Sequence, residues 1–185
     1  MLLHDSEMNK IIDLIEQDST RVKALECVAR LGLPQCFIAA GFVRNLVWDS
    51  LHNLETSTLL NDVDVIYYDS SESSPLAYLL YETQLSACMP DLNWQVRNQA
   101  TMHERNGDMP YTSVLDAMSY WPEKETAIAV RKLTLNHYEC ISAFGLKSLF
   151  NRRITRNPKR SRETFEQRVN SKGWLVRWPS LSVAS

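Results

Sequence analysis

Two aspartates separated by one residue, Asp62 and Asp64, lie in an otherwise apolar run of the sequence. Their neighbours Val63, Val65 and Ile66 favour a β-strand. Because side chains alternate across a strand, both carboxylates leave the same face. Carboxylates at this spacing repel each other unless a cation lies between them, and carboxylate, water and phosphate oxygens suit Mg²⁺ or Mn²⁺. The pair therefore indicates a metal site, with a solvated loop or an ion pair as the alternative.

A glycine precedes the aspartate pair at a predicted junction between a strand and a helix. The apolar run Cys36–Ala40 predicts a buried strand and Phe42–His52 predicts a helix, so Gly41 marks the junction. A glycine there lets a phosphate approach the backbone N–H groups of the helix N-terminus, and Arg44 could hold a phosphate oxygen. Simple turn formation is the alternative. A phosphate corner and a carboxylate pair on neighbouring strands are what phosphoryl and nucleotidyl transfer require.

The composition is that of an ordinary globular protein. The 185 residues suit one domain, with 44% apolar and 23% charged residues. No stretch approaches the ~18 to 20 apolar residues of a membrane span, and the N-terminus lacks the basic segment of a secretory signal. We expect a cytoplasmic protein without a membrane partner. Cys27, Cys36, Cys88 and Cys140 are scattered without zinc-binding spacing, which predicts reduced and mostly buried thiols.

Charge is distributed unevenly along the chain. Residues 1–146 carry a net charge of −10 and residues 147–185 a net charge of +8. A basic segment on an acidic body indicates either internal charge pairing or an anionic ligand such as a triphosphate or RNA. We therefore predict a domain over residues 1–145 and, over residues 146–185, a basic helical segment that packs on it and is not an independent domain.

Periodicity predicts an α/β (α+β) fold with a small mixed central sheet flanked by helices. In Trp94–Gln99, Gln95 and Arg97 leave the same face of a half-buried strand. Arg97 could therefore neutralise a phosphate or pair with Asp62. The other predicted strands are Ala127–Val130 and Tyr138–Ile141, with a turn at residues 135–137 between them. The predicted helices are two within Met8–Leu31, broken at Asp18–Thr20, and Ser73–Met89, Ser113–Ser119, Gly145–Phe150 and Arg162–Lys172.

Several segments together resemble a known family. They are Ala39–Asp49, Leu60–Asp69, Trp94–His103, Phe144–Leu146 and Lys172–Trp174 with Trp178–Pro179. On these segments the chain resembles the nucleotidyltransferase-like family formerly catalogued as a domain of unknown function, within the DNA polymerase beta-type nucleotidyltransferase superfamily. The resemblance implies a mixed sheet flanked by helices. It also implies metal-dependent transfer of a nucleoside monophosphate from an NTP to an acceptor.

The resemblance assigns roles to particular residues. Asp62 and Asp64 would be the catalytic metal ligands for Mg²⁺ or Mn²⁺. The nucleotide-binding residues would be Gly41, Phe42, Arg44, Asn45 and Arg97. The acceptor, which could be RNA, a protein or a small molecule, is not identified by the sequence.

Two positions depart from the superfamily pattern. Phe42 follows Gly41 where a second glycine or a serine is usual, and Gln95 stands where a third carboxylate is expected. Glu104, Asp108 or Asp116 could replace that acid from another direction. The departures support an alternative hypothesis, a catalytically degenerate module that binds nucleotide or RNA. A third hypothesis is a protein that binds an acidic partner through its basic segment.

Overall fold

The computed structural model describes residues 3–135 and 137–184, which form a sheet flanked by helices. The helices are α1 (Leu3–Glu16), α2 (Ser19–Ala29), α3 (Gly41–Leu51), α4 (Ala77–Cys88), α5 (Gln99–Asn106), α6 (Val114–Met118), α7 (Lys147–Phe150), α8 (Arg162–Lys172) and α9 (Trp174–Arg177), with a short 3-10 helix at Lys124–Thr126. The strands are β1 (Phe37–Ala39), β2 (Asp62–Tyr67), β3 (Asn93–Asn98), β4 (Ile128–Thr134), β5 (His137–Ser142), β6 (Arg153–Thr155) and β7 (Ser182–Ala184). The predicted mixed α/β fold is confirmed.

The central sheet has the strand order β3-β2-β1-β4-β5. β2 and β3 are parallel and are connected through α4, whereas β1 runs antiparallel to both β2 and β4. The register places Ala39 opposite Asp64, and it places Gln95 opposite Asp64 on the other side. The end of β1, where α3 begins, therefore lies beside the aspartate pair.

Different helices pack on the two faces of the sheet. On one face Ile38, Val63 and Val65 are fully buried in a core shared with α1, α2 and α3. On the other face Phe37 and Ile66 pack with α6 in a smaller cluster. Because Asp62 and Asp64 alternate with the buried valines, they emerge on this second, less covered face.

The C-terminal segment is anchored to α3 through tryptophans. Trp48 of α3 is fully buried and lies edge-on to Trp174 and Trp178, with ring centroids 5.9 and 5.1 Å away. The Trp178 indole donates to the buried carboxylate of Asp49 at 2.9 Å. The segment also contains β6 and β7, which pair in parallel, so it is not purely helical. The predicted boundary after residue 145 stays a prediction.

The element predictions differ from the structure in a few places. A helix, α5, follows β3 directly where no element is predicted, because the Asn98 side chain caps it by accepting from the Ala100 N–H at 3.1 Å. Helix α8 spans the predicted range. Of the turn predicted at residues 135–137, Asn136 lies outside the described residues.

The cysteine prediction is wrong for one pair. Cys27 and Cys88 form a disulfide that connects the end of α2 to the end of α4, across a sequence separation of 61 residues. Cys36 and Cys140 are free, and burial raises the pKa of each thiol to about 12. These two thiols therefore stay protonated at neutral pH, in agreement with the prediction.

Candidate active site

A large pocket of about 1070 Å³ opens on the less covered face of the sheet. Its volume slightly exceeds the ~300 to 1,000 Å³ typical of ligand sites. The pocket brings together six of the seven residues predicted from the sequence, which are Gly41, Arg44, Asn45, Asp62, Asp64 and Arg97. Residues far apart in the chain therefore share one cavity.

One side of the pocket, the acidic wall, consists of Asp62 and Asp64 on β2. Asp62 is exposed and its Oδ1 accepts a hydrogen bond from the Asn93 amide at 2.6 Å, whereas Asp64 is partly buried. Within residues 3–135 and 137–184, no lysine or arginine forms an ion pair with either carboxylate. Both acids therefore remain available to a ligand.

The electrostatics of Asp64 favour a cation at this wall. Burial and then repulsion from Asp62 raise its pKa, although Arg44 and Lys172 oppose the shift. Two carboxylates that repel each other fit the oxygen ligand set of Mg²⁺ or Mn²⁺. No cluster of three or more His, Cys, Asp or Glu side chains suits a metal in the described part of the chain. An ion here would therefore share its coordination with ligand oxygens and water.

The floor of the pocket is the corner between β1 and α3. The Arg44 N–H donates to the Ala40 carbonyl at 2.9 Å, so the N–H groups of Gly41 and Phe42 precede the first helical bond. A Cβ added at Gly41 would lie 3.3 Å from the Asn45 amide nitrogen and 3.4 Å from an Arg44 Nη. Glycine therefore leaves open a small cradle lined by N–H donors, the arrangement that binds phosphate.

Arg44 lies in the floor, where several contacts fix the position of its side chain. It is 7% exposed, donates to the Thr126 hydroxyl at 2.6 Å and to Asn45 Oδ1 at 3.0 Å, and stacks 4.5 Å from the Trp174 ring centroid. Burial lowers its pKa to about 10, which leaves the guanidinium charged at neutral pH. Its charge has no bonded carboxylate in the described structure, so an anionic ligand would complement it.

Phe42 is the one predicted nucleotide-binding residue whose side chain does not reach the pocket. The ring is fully buried in the core, and its carbonyl accepts from Arg21 Nε at 2.8 Å. Phe42 can therefore contribute only its backbone N–H at the corner. The superfamily pattern expects a serine or a second glycine at this position, whereas the Phe42 side chain packs in the core.

The position of the expected third carboxylate is occupied by Gln95, which lines the pocket opposite Asp64. None of the suggested substitutes lines the pocket: Glu104 is exposed on α5, Asp108 pairs with Arg160, and Asp116 caps the backbone of Thr112. The carboxylate count of the pocket lining is therefore two.

Arg97 lines the pocket, but it does not pair with Asp62, one of its two predicted roles. Its Nη1 lies 2.8 Å from Glu82 of α4, and its Nη2 donates to Gln95 Oε1 at 2.8 Å. Glu82 also accepts from the Val96 N–H at 2.9 Å. Helix α4 therefore holds this guanidinium on the β3 side of the pocket.

The side facing the aspartates, the basic wall, comes from the C-terminal segment and consists of Arg160, Thr164, Arg168, Lys172 and Arg177. Thr164, Arg168 and Lys172 follow each other at four-residue spacing on α8 and so share one helix face. Arg160 and Arg168 are held by carboxylates, whereas Lys172 and Arg177 are exposed and form no ion pair within the described chain. The basic composition of the segment predicted an anion site without naming these residues.

A buried carboxylate that sequence reasoning missed organises this wall. Glu123 is 1% exposed and accepts from Arg168 at 2.5 and 3.1 Å and from the Thr126 hydroxyl at 2.9 Å. Since Thr126 accepts from Arg44, one network connects the floor to the basic wall. No local pattern identifies Glu123, because its partners lie far away in the sequence.

Comparison with known proteins agrees with this geometry. Residues 26–183 match the model of a family described as nucleotidyltransferase, and the chain therefore belongs to that family. No curated protein matches the chain. The family match confirms the resemblance identified from the sequence.

Solved structures share the fold. One NMR structure, described as revealing a CCA-adding enzyme head domain, superimposes with a TM-score of 0.83 at 28% identity, covering 96% of this chain and 95% of that one. Another, described as tRNA-processing enzyme complex 3, gives a TM-score of 0.54 at 16% identity over 88% of this chain and 43% of that one. The second similarity supports the fold alone.

Proposed function

We propose that the protein is a metal-dependent nucleotidyltransferase that moves a nucleoside monophosphate from an NTP to an acceptor hydroxyl. The observation that carries this proposal is the shared pocket. Two carboxylates that form no ion pair within the described residues face a glycine corner lined with N–H groups, with Arg44 between them and the basic wall. Each part has a role in binding a triphosphate.

The chain's own residues would position the nucleotide. The N–H groups of Gly41 and Phe42, the Asn45 amide and Arg44 would bind the β- and γ-phosphates. Lys172 would add positive charge from the opposite side. The acceptor oxygen would then bond to the α-phosphorus as the bond to pyrophosphate breaks, and the hydroxyl proton would leave to water.

Asp62 and Asp64 would hold Mg²⁺ or Mn²⁺. Such an ion supplies positive charge to the α-phosphate as negative charge develops there. The two acids would fix the position of that ion relative to the floor, which is why they must lie on one face of β2. A neutral side chain at either position would lose that function.

Of the three acceptor classes, which are RNA, a protein and a small molecule, we favour RNA. The basic wall presents two exposed cations, Lys172 and Arg177, to phosphates, and the chain is similar to the head domain described as that of a CCA-adding enzyme. No described helix is long and apolar enough to cross a bilayer. A cytoplasmic location without a membrane partner stays part of the proposal.

A second candidate function, a non-catalytic module that binds nucleotide or RNA, is favoured by one observation. Gln95 lies where a third acid would complete a two-metal site. This candidate predicts nucleotide or RNA binding without transfer, and its RNA binding would be independent of metal and steeply salt-dependent.

The test is label transfer from each of four α-labelled NTPs to cell extract and to purified RNA. We expect metal-dependent transfer by the wild type and a loss of ~10³-fold or more in Asp62→Asn and Asp64→Asn, with folding retained. The matched control is Asp91→Asn, which removes an exposed carboxylate outside the pocket and should transfer normally. Undiminished transfer by either pocket variant would refute the mechanism.

A further inference from the structure

The pair formed by Gln95 and Arg97 distinguishes this site from one that holds two metal ions. The two residues alternate along β3 and therefore share the face that lines the pocket. Gln95 lies directly opposite Asp64 in the parallel register of β2 and β3. Asn93, on the same face, donates its side-chain amide to Asp62 at 2.6 Å, which leaves Gln95 as the β3 side chain placed beside Asp64 as a further ligand.

The oxygen of Gln95 is already engaged. Its Oε1 accepts a hydrogen bond from Arg97 Nη2 at 2.8 Å. An amide oxygen is a weaker metal ligand than a carboxylate, and one that accepts from a guanidinium has less electron density to offer. One of the two lone pairs of this oxygen is therefore occupied, which makes Gln95 a still poorer ligand for an ion.

Arg97 is fixed in that place from several directions. Its Nη1 donates to Glu82 at 2.8 Å and to the Val96 carbonyl at 2.6 Å, and the guanidinium stacks 4.9 Å from the Tyr78 ring centroid. Its side chain is 35% exposed, on the side open to the pocket. A positive charge that Glu82 offsets only in part therefore lies just beyond Gln95, and it disfavours a divalent ion there.

We propose that this site binds a single divalent ion together with the nucleotide, on Asp62 and Asp64. Gln95 and Arg97 prevent a second ion from binding beside β3. The inference rests on the proposed function, because it concerns the ion that the aspartates hold. The Arg97 guanidinium supplies fixed positive charge on that side of the pocket, where the acceptor would approach. Metal stoichiometry, and not only activity, then separates this site from a two-metal one.

The experiment is electron paramagnetic resonance of Mn²⁺ titrated into the protein with an NTP whose α,β-bridging oxygen is replaced by methylene. Two Mn²⁺ ions about 3.5 to 4 Å apart, as in two-metal sites, are magnetically coupled, whereas a single ion is not. For the wild type we expect one protein-bound Mn²⁺ per nucleotide and no coupled signal. A sample of nucleotide and Mn²⁺ without protein corrects for binding by the nucleotide alone.

The matching variant is Gln95→Glu combined with Arg97→Gln, which adds a carboxylate and removes the cation. We expect it to bind two coupled Mn²⁺ ions, and circular dichroism verifies that it is folded. Two coupled ions in the wild type, or a single ion in the folded double variant, would overturn the inference and leave the proposed function standing. A wild type that binds no Mn²⁺–nucleotide complex would instead overturn the proposed function, and the inference with it.

Discussion

The two walls of the pocket carry opposite charge and are stabilised in opposite ways. On the acidic wall, Asp62 and Asp64 repel each other, and no cation pairs with them in the described structure. On the basic wall, Arg160 and Arg168 are bonded to Asp108 and Glu123. The carboxylates of the acidic wall are therefore available to a ligand, whereas two arginines of the basic wall are engaged in ion pairs that fix its structure.

This difference leaves few cations for an incoming anion. Among the described bases of the basic wall, Lys172 and Arg177 are exposed and without a carboxylate partner. Lys172 lies near enough to Asp64 for its charge to oppose the rise in the pKa of that acid. Of the two, Lys172 is therefore the one positioned to act on phosphates bound at the acidic wall.

On the basic wall, the largest effect should come from Lys172→Gln. Because Lys172 forms no ion pair within the described residues, its loss should break no internal contact of that kind. We expect the KM for NTP to rise ~10-fold, which corresponds to about 1.4 kcal/mol, with a smaller change in kcat. Steady-state kinetics at two salt concentrations measures this, and the wild type should show the steeper salt dependence.

Lys147→Gln is the matched control for that experiment. Lys147 is also an exposed helical lysine of the C-terminal segment, but it lies outside the pocket. Its loss should leave the KM unchanged. Equal KM values for the Lys172 variant and the wild type would mean that the basic wall does not contact the phosphates.

A second prediction concerns the stability of the acidic wall. Because burial and Asp62 raise the pKa of Asp64 in the folded state, ionisation of Asp64 destabilises the fold. Asp64→Asn should therefore melt a few degrees higher than the wild type at neutral pH. The gain should shrink as the pH falls through the raised pKa and vanish below the ordinary value of about 3.9.

Thermal melts of the two proteins between about pH 4 and pH 8 test this sign. Asp91→Asn, at an exposed position outside the pocket, should follow the wild-type curve. If Asp64→Asn melted lower than the wild type at neutral pH, attractive contacts would stabilise the Asp64 carboxylate. The charge of the acidic wall would then not destabilise the fold.

The acidic wall was predictable from the sequence because its signals are local. The alternation of Asp62 and Asp64 with buried valines needs only the period of a strand. The junction at Gly41 follows from a short apolar run before a helical pattern. The antiparallel register that places Ala39 opposite Asp64 then joins the two motifs, as expected for neighbouring strands.

The basic wall was predictable only as a charge. Its organisation depends on contacts such as Arg168 with Glu123, which are 45 residues apart, and Arg44 with Thr126, which are 82 apart. No periodicity encodes such distances, and the same holds for the disulfide between Cys27 and Cys88. Helix α5 differs, because its Asn98 cap and the left-handed Gly107 at its end are local signals that could have predicted it.

The smallest predicted effect concerns Ala40, at the corner that joins the floor to the acidic wall. Ala40 has φ 58° and ψ −124°, a conformation that residues with a Cβ rarely adopt. It is held there because its N–H donates to Ile128 at 2.9 Å and its carbonyl accepts from Val43 and Arg44. The surrounding structure therefore imposes strain at the corner that presents the Gly41 N–H group.

Ala40→Gly should relieve that strain, which costs about 1 to 3 kcal/mol, while adding about 0.4 to 1 kcal/mol of unfolded-state entropy. We therefore expect a net gain of about 1 kcal/mol in the free energy of unfolding, measured by urea denaturation. Ala39→Gly, one residue earlier in β1, should instead lose about 0.5 to 1 kcal/mol, because it has no such strain to release. Equal losses of stability in the two variants would mean that the backbone of Ala40 is not strained. The hydrogen bonds of Arg44 alone would then fix the shape of the floor.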